Sequence, residues 1–329
     1  MTHRRIPRRE RGAALLAVLL LVAVTGAIAA AAMEGLRLSR AQAANAASLD
    51  QGRAFADGVE QLAILSLDDM IARDPERTTL AGGWNGATRH IDLPGGGVAD
   101  VRVRDGGNCF NVNSVVDGEG ATSLVRRPSG VLEFIGLMVA LEIPESEARR
   151  IAEAAADWAD SDSVPGPGGA EDEAYAAAPR PYRTGNTLFA DPGELRALAG
   201  MSPEIYARIR PWLCAPPTSD LSPININTLT PDQAPLLSML APGQLPLDLS
   251  GRLIAARPSA GWSNQVEFWR QGVLRDLNLP LDVQLQTQIR THWFALDVRA
   301  RAGTTEFAET VLIDARLQPS RIVSRRWTD

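Results

Sequence analysis

The sequence contains no lysine: the 33 basic residues beside its three histidines are all arginine. That bias reads as a property of the coding sequence, but other shortages exclude functions. Without lysine a GxxxxGK[ST] phosphate loop is impossible, and no HExxH or GxSxG pattern occurs. The three histidines are isolated: His3 near the start, and His90 and His292 in or beside expected strands. Only two cysteines are present, Cys109 and Cys214, so there is no C-x-x-C redox or metal motif. Aromatic residues make up 5% of the chain. No sugar-binding aromatic cluster therefore accompanies the carboxylates of the chain beyond Trp158 and Tyr175, as glycoside hydrolysis would want. No enzyme activity is expected. Acids outnumber bases to give a net charge of −6, and −10 once residues 1–12, with five Arg and one Glu, are set aside. So acidic a body argues against nucleic acid as partner, because phosphate binding needs a basic face.

What the sequence does have is an uncharged run of twenty-one residues, Ala13–Met33, rich in Ala, Leu and Val. As a helix it would be about 30 Å long, enough to cross a bilayer. The preceding Arg4, Arg5, Arg8, Arg9 and Arg11 should hold that end in the cytoplasm. Three readings compete here: a cleaved secretory signal with its small residues at Ala29–Ala32, a plain signal anchor, and a leader cut on the cytoplasmic side. The third accounts best for a basic leader that ends in Gly12, and it resembles the class III signal of type IV pilins and type II secretion pseudopilins. The resemblance implies that a prepilin peptidase cuts between Gly12 and Ala13 and methylates the new N-terminus. Most such proteins carry Glu at the fifth mature position, which here is Ala17.

Beyond Glu34 the helical pattern continues to about Ile71. Phe55, Val59, Leu62 and Leu65 form an apolar stripe, Leu38, Ala41, Asn45 and Leu49 a thinner one, and Gly52 and Gly58 are places for a bend. Breakers at Gly82-Gly83 and Gly95–Gly97 bracket two short strands, His90–Leu93 and Gly97–Arg104. From Cys109 to about Ile289 the chain reads as helices joined by Pro- and Gly-rich loops, with a degenerate repeat. Phe110–Ser114 precedes helices and then Ile151–Trp158, while Ile224–Thr228 precedes helices and then Leu253–Trp262. Each Asn-rich turn can cap a helix start. Strand character returns in Trp293–Arg301, Phe307–Leu317 and Arg321–Trp327, with turns at Gly303-Thr304 and Pro319-Ser320.

One loop, Trp158–Tyr175, concentrates the chemistry. Asp160 and Asp162 lie two apart, and a Pro/Gly turn leads back to Glu171 and Asp172. Hard oxygen ligands on a flexible loop suit Ca²⁺, although the loop departs from the EF-hand pattern. A solvated acidic loop is the alternative.

The leader, CFNVNS, WADSD, GGAEDEAY, Pro181-Tyr182-Arg183, Glu194-Leu195-Arg196, and LCAPP before ININT together resemble the K-type minor pseudopilins of type II secretion systems, over nearly the whole chain. Members of that family also lack the Glu at mature position five. The resemblance implies an α+β fold, in which a pilin-like long N-terminal helix packs on an antiparallel sheet interrupted by a large helical insertion. On this reading residues 1–12 are the leader, 13–34 the transmembrane segment and 35–105 the helix with the first strands. Residues 106–289 are the insertion, in two modules (about 110–210 and 220–288), and 290–329 are the closing strands. It further implies Ca²⁺ in the insertion, placement at the pseudopilus tip above I- and J-type minor pseudopilins, contact with other pseudopilus subunits, and an inner-membrane anchor with a periplasmic C-terminal domain. An oxidising periplasm would permit a disulfide between Cys109 and Cys214, two buried free thiols being the other option. The rival function comes from ININT, which resembles the helix-hairpin-helix fold of DNA-binding and DNA-uptake proteins. Its candidate hairpin, Leu240–Pro246, has one Gly and no basic residue before Arg252.

Overall fold

One helix of 66 residues, α1 (Arg8–Arg73), opens the computed structural model. The structure describes residues 8–327 except 95–96, 119, 121–122, 178–179, 276, 278 and 303–304. Arg4, Arg5, most of the triple-glycine turn and the turn expected at Gly303-Thr304 therefore lie outside the described residues. No proline interrupts α1, which ends just ahead of Pro75 as the steric bias against helix before proline requires. It runs unbroken through Gly52 and Gly58, and Gly52 lies close to Phe307, where a Cβ would sit 3.5 Å from the ring's own Cβ.

The buried stripe of α1 differs from the expected one. Ala56, Val59, Ala63, Ile64, Leu67 and Ile71 face the sheet, whereas Leu62 and Leu65 are 56% and 64% exposed. Glu60, fully buried, explains the rotation. Arg325 on the sheet donates to both its oxygens at 2.8 and 2.7 Å, so this polar position of the sequence pattern turns toward the sheet. The thinner stripe finds no cover, with Leu38 and Leu49 exposed.

The sheet beneath α1 is antiparallel, and its first strands are β1 (Thr88–Leu93) and β2 (Gly97–Asp105). After β2 come the two-residue strands β3 (Phe110–Asn111), β4 (Val116–Asp117) and β5 (Val125–Arg126). Helices α2 (Pro128–Ala140), α3 (Glu145–Ala159), α4 (Asp172–Ala176) and α5 (Pro203–Ile209) follow, then the short strands β6 (Leu213–Cys214) and β7 (Ile224–Asn225). Next are α6 (Ala234–Ser238), α7 (Leu247–Ala255), α8 (Gln265–Trp269), α9 (Gly272–Arg275), α10 (Leu281–Gln286) and β8 (Thr287–Gln288). Strands β9 (Trp293–Ala302), β10 (Thr305–Asp314) and β11 (Arg321–Trp327) close the chain and complete a five-stranded sheet in the order β1-β2-β9-β10-β11. The expected strand Phe307–Leu317 stops early, because Ala315 N–H donates to His292 O and Arg316 folds back onto Asp314 at 2.7 Å.

Everything between β2 and β9 is one insertion with its own core, distinct from the core under α1. The two expected modules are not separate bodies: Phe110, stacked on Phe134 at 4.6 Å, shares a continuous cluster with Leu236, Leu237 and Phe268. The repeat itself is visible in hydrogen bonds. Asn111 and Asn225 each accept, through Oδ1, the backbone N–H two residues on, at 3.0 and 2.9 Å. Asn113 clamps a distant strand of chain by accepting from Phe189 N and donating to Phe189 O, at 2.7 and 3.0 Å. Asn227 does the same with Trp262 at 2.6 and 3.0 Å. The counterpart of Trp262 is thus Phe189 rather than Trp158, because the acidic loop is an extra excursion inside the first copy.

Insertion and sheet meet at Asp105, the last residue of β2. Its buried carboxylate accepts from Gly107 N and Asn108 N at 2.9 and 3.2 Å, and from the Thr228 hydroxyl at 2.6 Å and the Thr291 hydroxyl. Burial raises its pKa, against the pull of those four donors.

Candidate functional site

Helix α3 delivers the acidic loop. Its first turn carries Glu145 and Glu147, which favour the helix N-terminus, and its alanines 152, 154, 155 and 156 bury against the core. Asp160 caps the other end, its N–H donating to Ala156 O at 2.8 Å. The loop then turns through Pro165–Gly169 and returns Glu171 at the start of α4.

The return is organised by Asp157, a residue that sequence reasoning missed. Its carboxylate is 1% exposed and receives the Gly166 N–H at 3.0 and 3.1 Å. A Cβ at Gly169 would lie 1.9 Å from Asp157 Oδ2, so only glycine lets the backbone pass this close. Beside it Glu153 is buried in a two-pronged pair with Arg126, both bonds 2.7 Å. The i, i+3 spacing of Asp157 and Asp160 on one helix was the available signal.

Asp160, Asp162 and Glu171 come together, one oxygen of each lying within 4.8 Å of the others. Asp160 and Glu171 are buried and Asp162 is exposed. Asp160 Oδ1 and Glu171 Oε1 have no hydrogen-bond partner. Burial, and then the neighbouring Asp162, Asp157 and Glu171, push Asp160 up to about 7. Glu171 is raised too, by burial and then by Asp157. Asp172 stands apart from the three. Its Oδ1 accepts from the Thr184 N–H and hydroxyl at 2.9 and 3.0 Å, because α4 begins there and turns the side chain toward the returning loop. Three converging carboxylates, two of them buried with an oxygen that has no hydrogen-bond partner, and no nitrogen or sulfur among them, form the donor set of a hard cation.

Cys109 and Cys214 are bonded to each other, with Cα atoms 5.8 Å apart, beside the parallel β3–β6 pair. Gly12, Ala13 and Ala17 all lie on α1, and Ala13 and Ala17 are exposed. The stretch from Ala13 is long and apolar enough to cross a membrane. The candidate DNA hairpin spends its amides internally: Gln244 N and Leu245 N both donate to Ala241 O at 3.0 Å. Arg252, the nearest cation after it, is paired with Asp248 at 2.8 Å.

Comparison with known proteins gives one answer. Residues 108–218 and 224–291 match family models described as Type II secretion system (T2SS), protein K. A Type II secretion system protein K from Klebsiella pneumoniae is 36% identical over 322 residues, covering 97% of both chains. One from Pectobacterium carotovorum subsp. carotovorum is 32% identical over 320 residues, again 97% of both. Among solved structures, a chain of the GspK-GspI-GspJ complex of the enterotoxigenic Escherichia coli Type 2 Secretion System superposes with a TM-score of 0.74. That pair is 26% identical, and the match covers 86% of this chain and 97% of the other.

Proposed function

This chain belongs to the type II secretion system protein K family, and on that premise we propose that it is the minor pseudopilin at the tip of the pseudopilus. Its role as a minor pseudopilin in type II secretion follows from the family; a DNA-binding role gains no support from the fold or from the relatives. The tip position rests on one observation above all, the bulk of the insertion carried between β2 and β9. A body of that size obstructs stacking of a further subunit above it, while a terminal position leaves room. Ala17 agrees. In a pilin filament the usual Glu at that position meets the N-terminal amine of a neighbour, and a buried charge without a partner is costly. A terminal subunit has no such amine to meet.

By analogy with the GspK-GspI-GspJ complex, the partners are the I- and J-type minor pseudopilins, with the rest of the pseudopilus below. The chain is cut by prepilin peptidase between Gly12 and Ala13, is methylated there, and stays anchored in the inner membrane by α1 with the remainder in the periplasm. Asp160, Asp162 and Glu171 hold Ca²⁺, which cancels the repulsion of three converging carboxylates, while Asp172 fixes the loop through Thr184. Among the described residues no set calls for catalysis. Co-expression of the full chain with I- and J-type partners should give a complex with one copy of each. Assembly of this chain with itself into a uniform filament would overturn the tip position, and a mature N-terminus near Glu34 would overturn the leader.

A further inference from the structure

Outside the acidic loop, Glu133 on α2 is a buried acid, 2% exposed. Gln286, the last residue of α10 and 153 positions away, donates its Nε2–H to Glu133 Oε1 at 2.6 Å. The other atom of each side chain, Glu133 Oε2 and Gln286 Oε1, is buried with no hydrogen-bond partner. With the carboxylate ionised both are acceptors, and two acceptors cannot satisfy one another. A proton on Glu133 Oε2 turns it into a donor and lets acid and amide close a two-bond pair. We propose that Glu133 is held protonated and forms, with Gln286, a proton-carrying latch between the first and second helical modules, which loosens when Glu133 ionises.

The surroundings favour the neutral acid. Burial is the main cause, pushing Glu133 to about 8; the charge of Asp282 on α10 adds to it, while the Gln286 bond and Arg127, just before α2, oppose it. Arg127 is itself occupied, donating to Ser219 O and Asp117. Of the elements packed on α2, the turn Val112–Val115 and α6 carry no ionisable side chain, and on α3 the buried Glu153 is neutralised by Arg126. The sign follows from linkage. Above the usual carboxylate range the folded state holds a proton that the unfolded state has lost, so stability falls as pH rises up to about 8 and then levels off. Within that window one bound proton changes the folding equilibrium by about tenfold per pH unit.

The test is hydrogen exchange on the full chain in detergent micelles, corrected for intrinsic rates, between pH 6 and 9. Amide protection in α2 and α10 should fall with pH in the wild type. Glu133→Gln, which keeps an amide pair at every pH, should abolish that fall. Identical pH dependence in both proteins would overturn the latch. Should Glu133→Gln not fold, infrared spectroscopy of the wild type decides instead. A protonated carboxyl band that titrates near pH 8 and is shifted by Gln286→Leu supports the proposal, and absence of such a band overturns it.

Discussion

The helix-and-sheet body and the helical insertion hold themselves together in different ways. In the body, long elements repeat one pattern: the C-terminal part of a 66-residue helix lies on strands of up to ten residues, and burial alternates with the strand period. Among the described residues of the insertion, no helix exceeds fifteen residues and several have four or five. Helices that short do not persist on propensity, because nucleation costs more than a few backbone bonds return. Asparagine side chains, a disulfide and a cluster of carboxylates take over the task of fixing the chain. Regular patterning builds a surface that can slide or pack, whereas point fastenings build an irregular one.

That contrast can be broken most severely at the disulfide. Replacing Cys109 and Cys214 together by serine should destabilise the insertion by up to ~4.7 kcal/mol in the chain-entropy model, given a separation of 105 residues. Unfolding followed by exchange at α3 and α7 should shift strongly, while exchange in β9 and β10 should change little. Equal loss in both regions would erase the distinction. Next comes Asn227→Ala, which leaves Trp262 N and O unpaired inside the core. A loss of about 3 kcal/mol is expected from two buried groups, read from the denaturation midpoint.

Chelation should then act on the insertion alone. Removing Ca²⁺ held at a hundredfold excess over its dissociation constant costs about 2.7 kcal/mol, and Asp160→Ala should remove that sensitivity. A melting curve indifferent to chelator would leave a solvated loop. The smallest effect belongs to the body: Leu62→Ser, on the open side of α1, should stay within about 0.5 kcal/mol. A large loss there would mean that the sheet covers the face first expected from the pattern.

The same contrast explains what could be read from the sequence. The uncharged run, periodicity and the glycine and proline breakers located α1 and the five strands of the main sheet, since each follows a local rule. It misplaced the buried stripe because Glu60 looks like a solvent residue until Arg325, 265 positions later, is known to meet it. The Asn repeat was legible as spelling, yet the partner of Asn113 was not, because Phe189 lies beyond an excursion that has no counterpart in the second copy. In the acidic loop the abundance of carboxylates was evident from composition. The sorting of Asp160, Asp162 and Glu171 from Asp172, and the organising part of Asp157, depend on where the Pro/Gly turn sends the backbone.

Asp105 pairs with Phe294, so the chain leaves the sheet at one leg of a β-hairpin and re-enters at the other. Gly106 N–H still donates to Trp293 O at 2.8 Å, as a tight hairpin would have it, and a Cβ at Gly106 would come within 2.9 Å of Ala295 N. The whole helical domain thus occupies the place of an ordinary two-residue turn, a cassette plugged into a socket whose strand pairing is complete without it. Because closing a longer loop costs only about 0.6 kcal/mol per doubling, such a socket tolerates cargo of almost any size. A ligation of Gly106 to Trp293 through Asn-Gly should therefore yield a miniature chain with the same five strands in the same order.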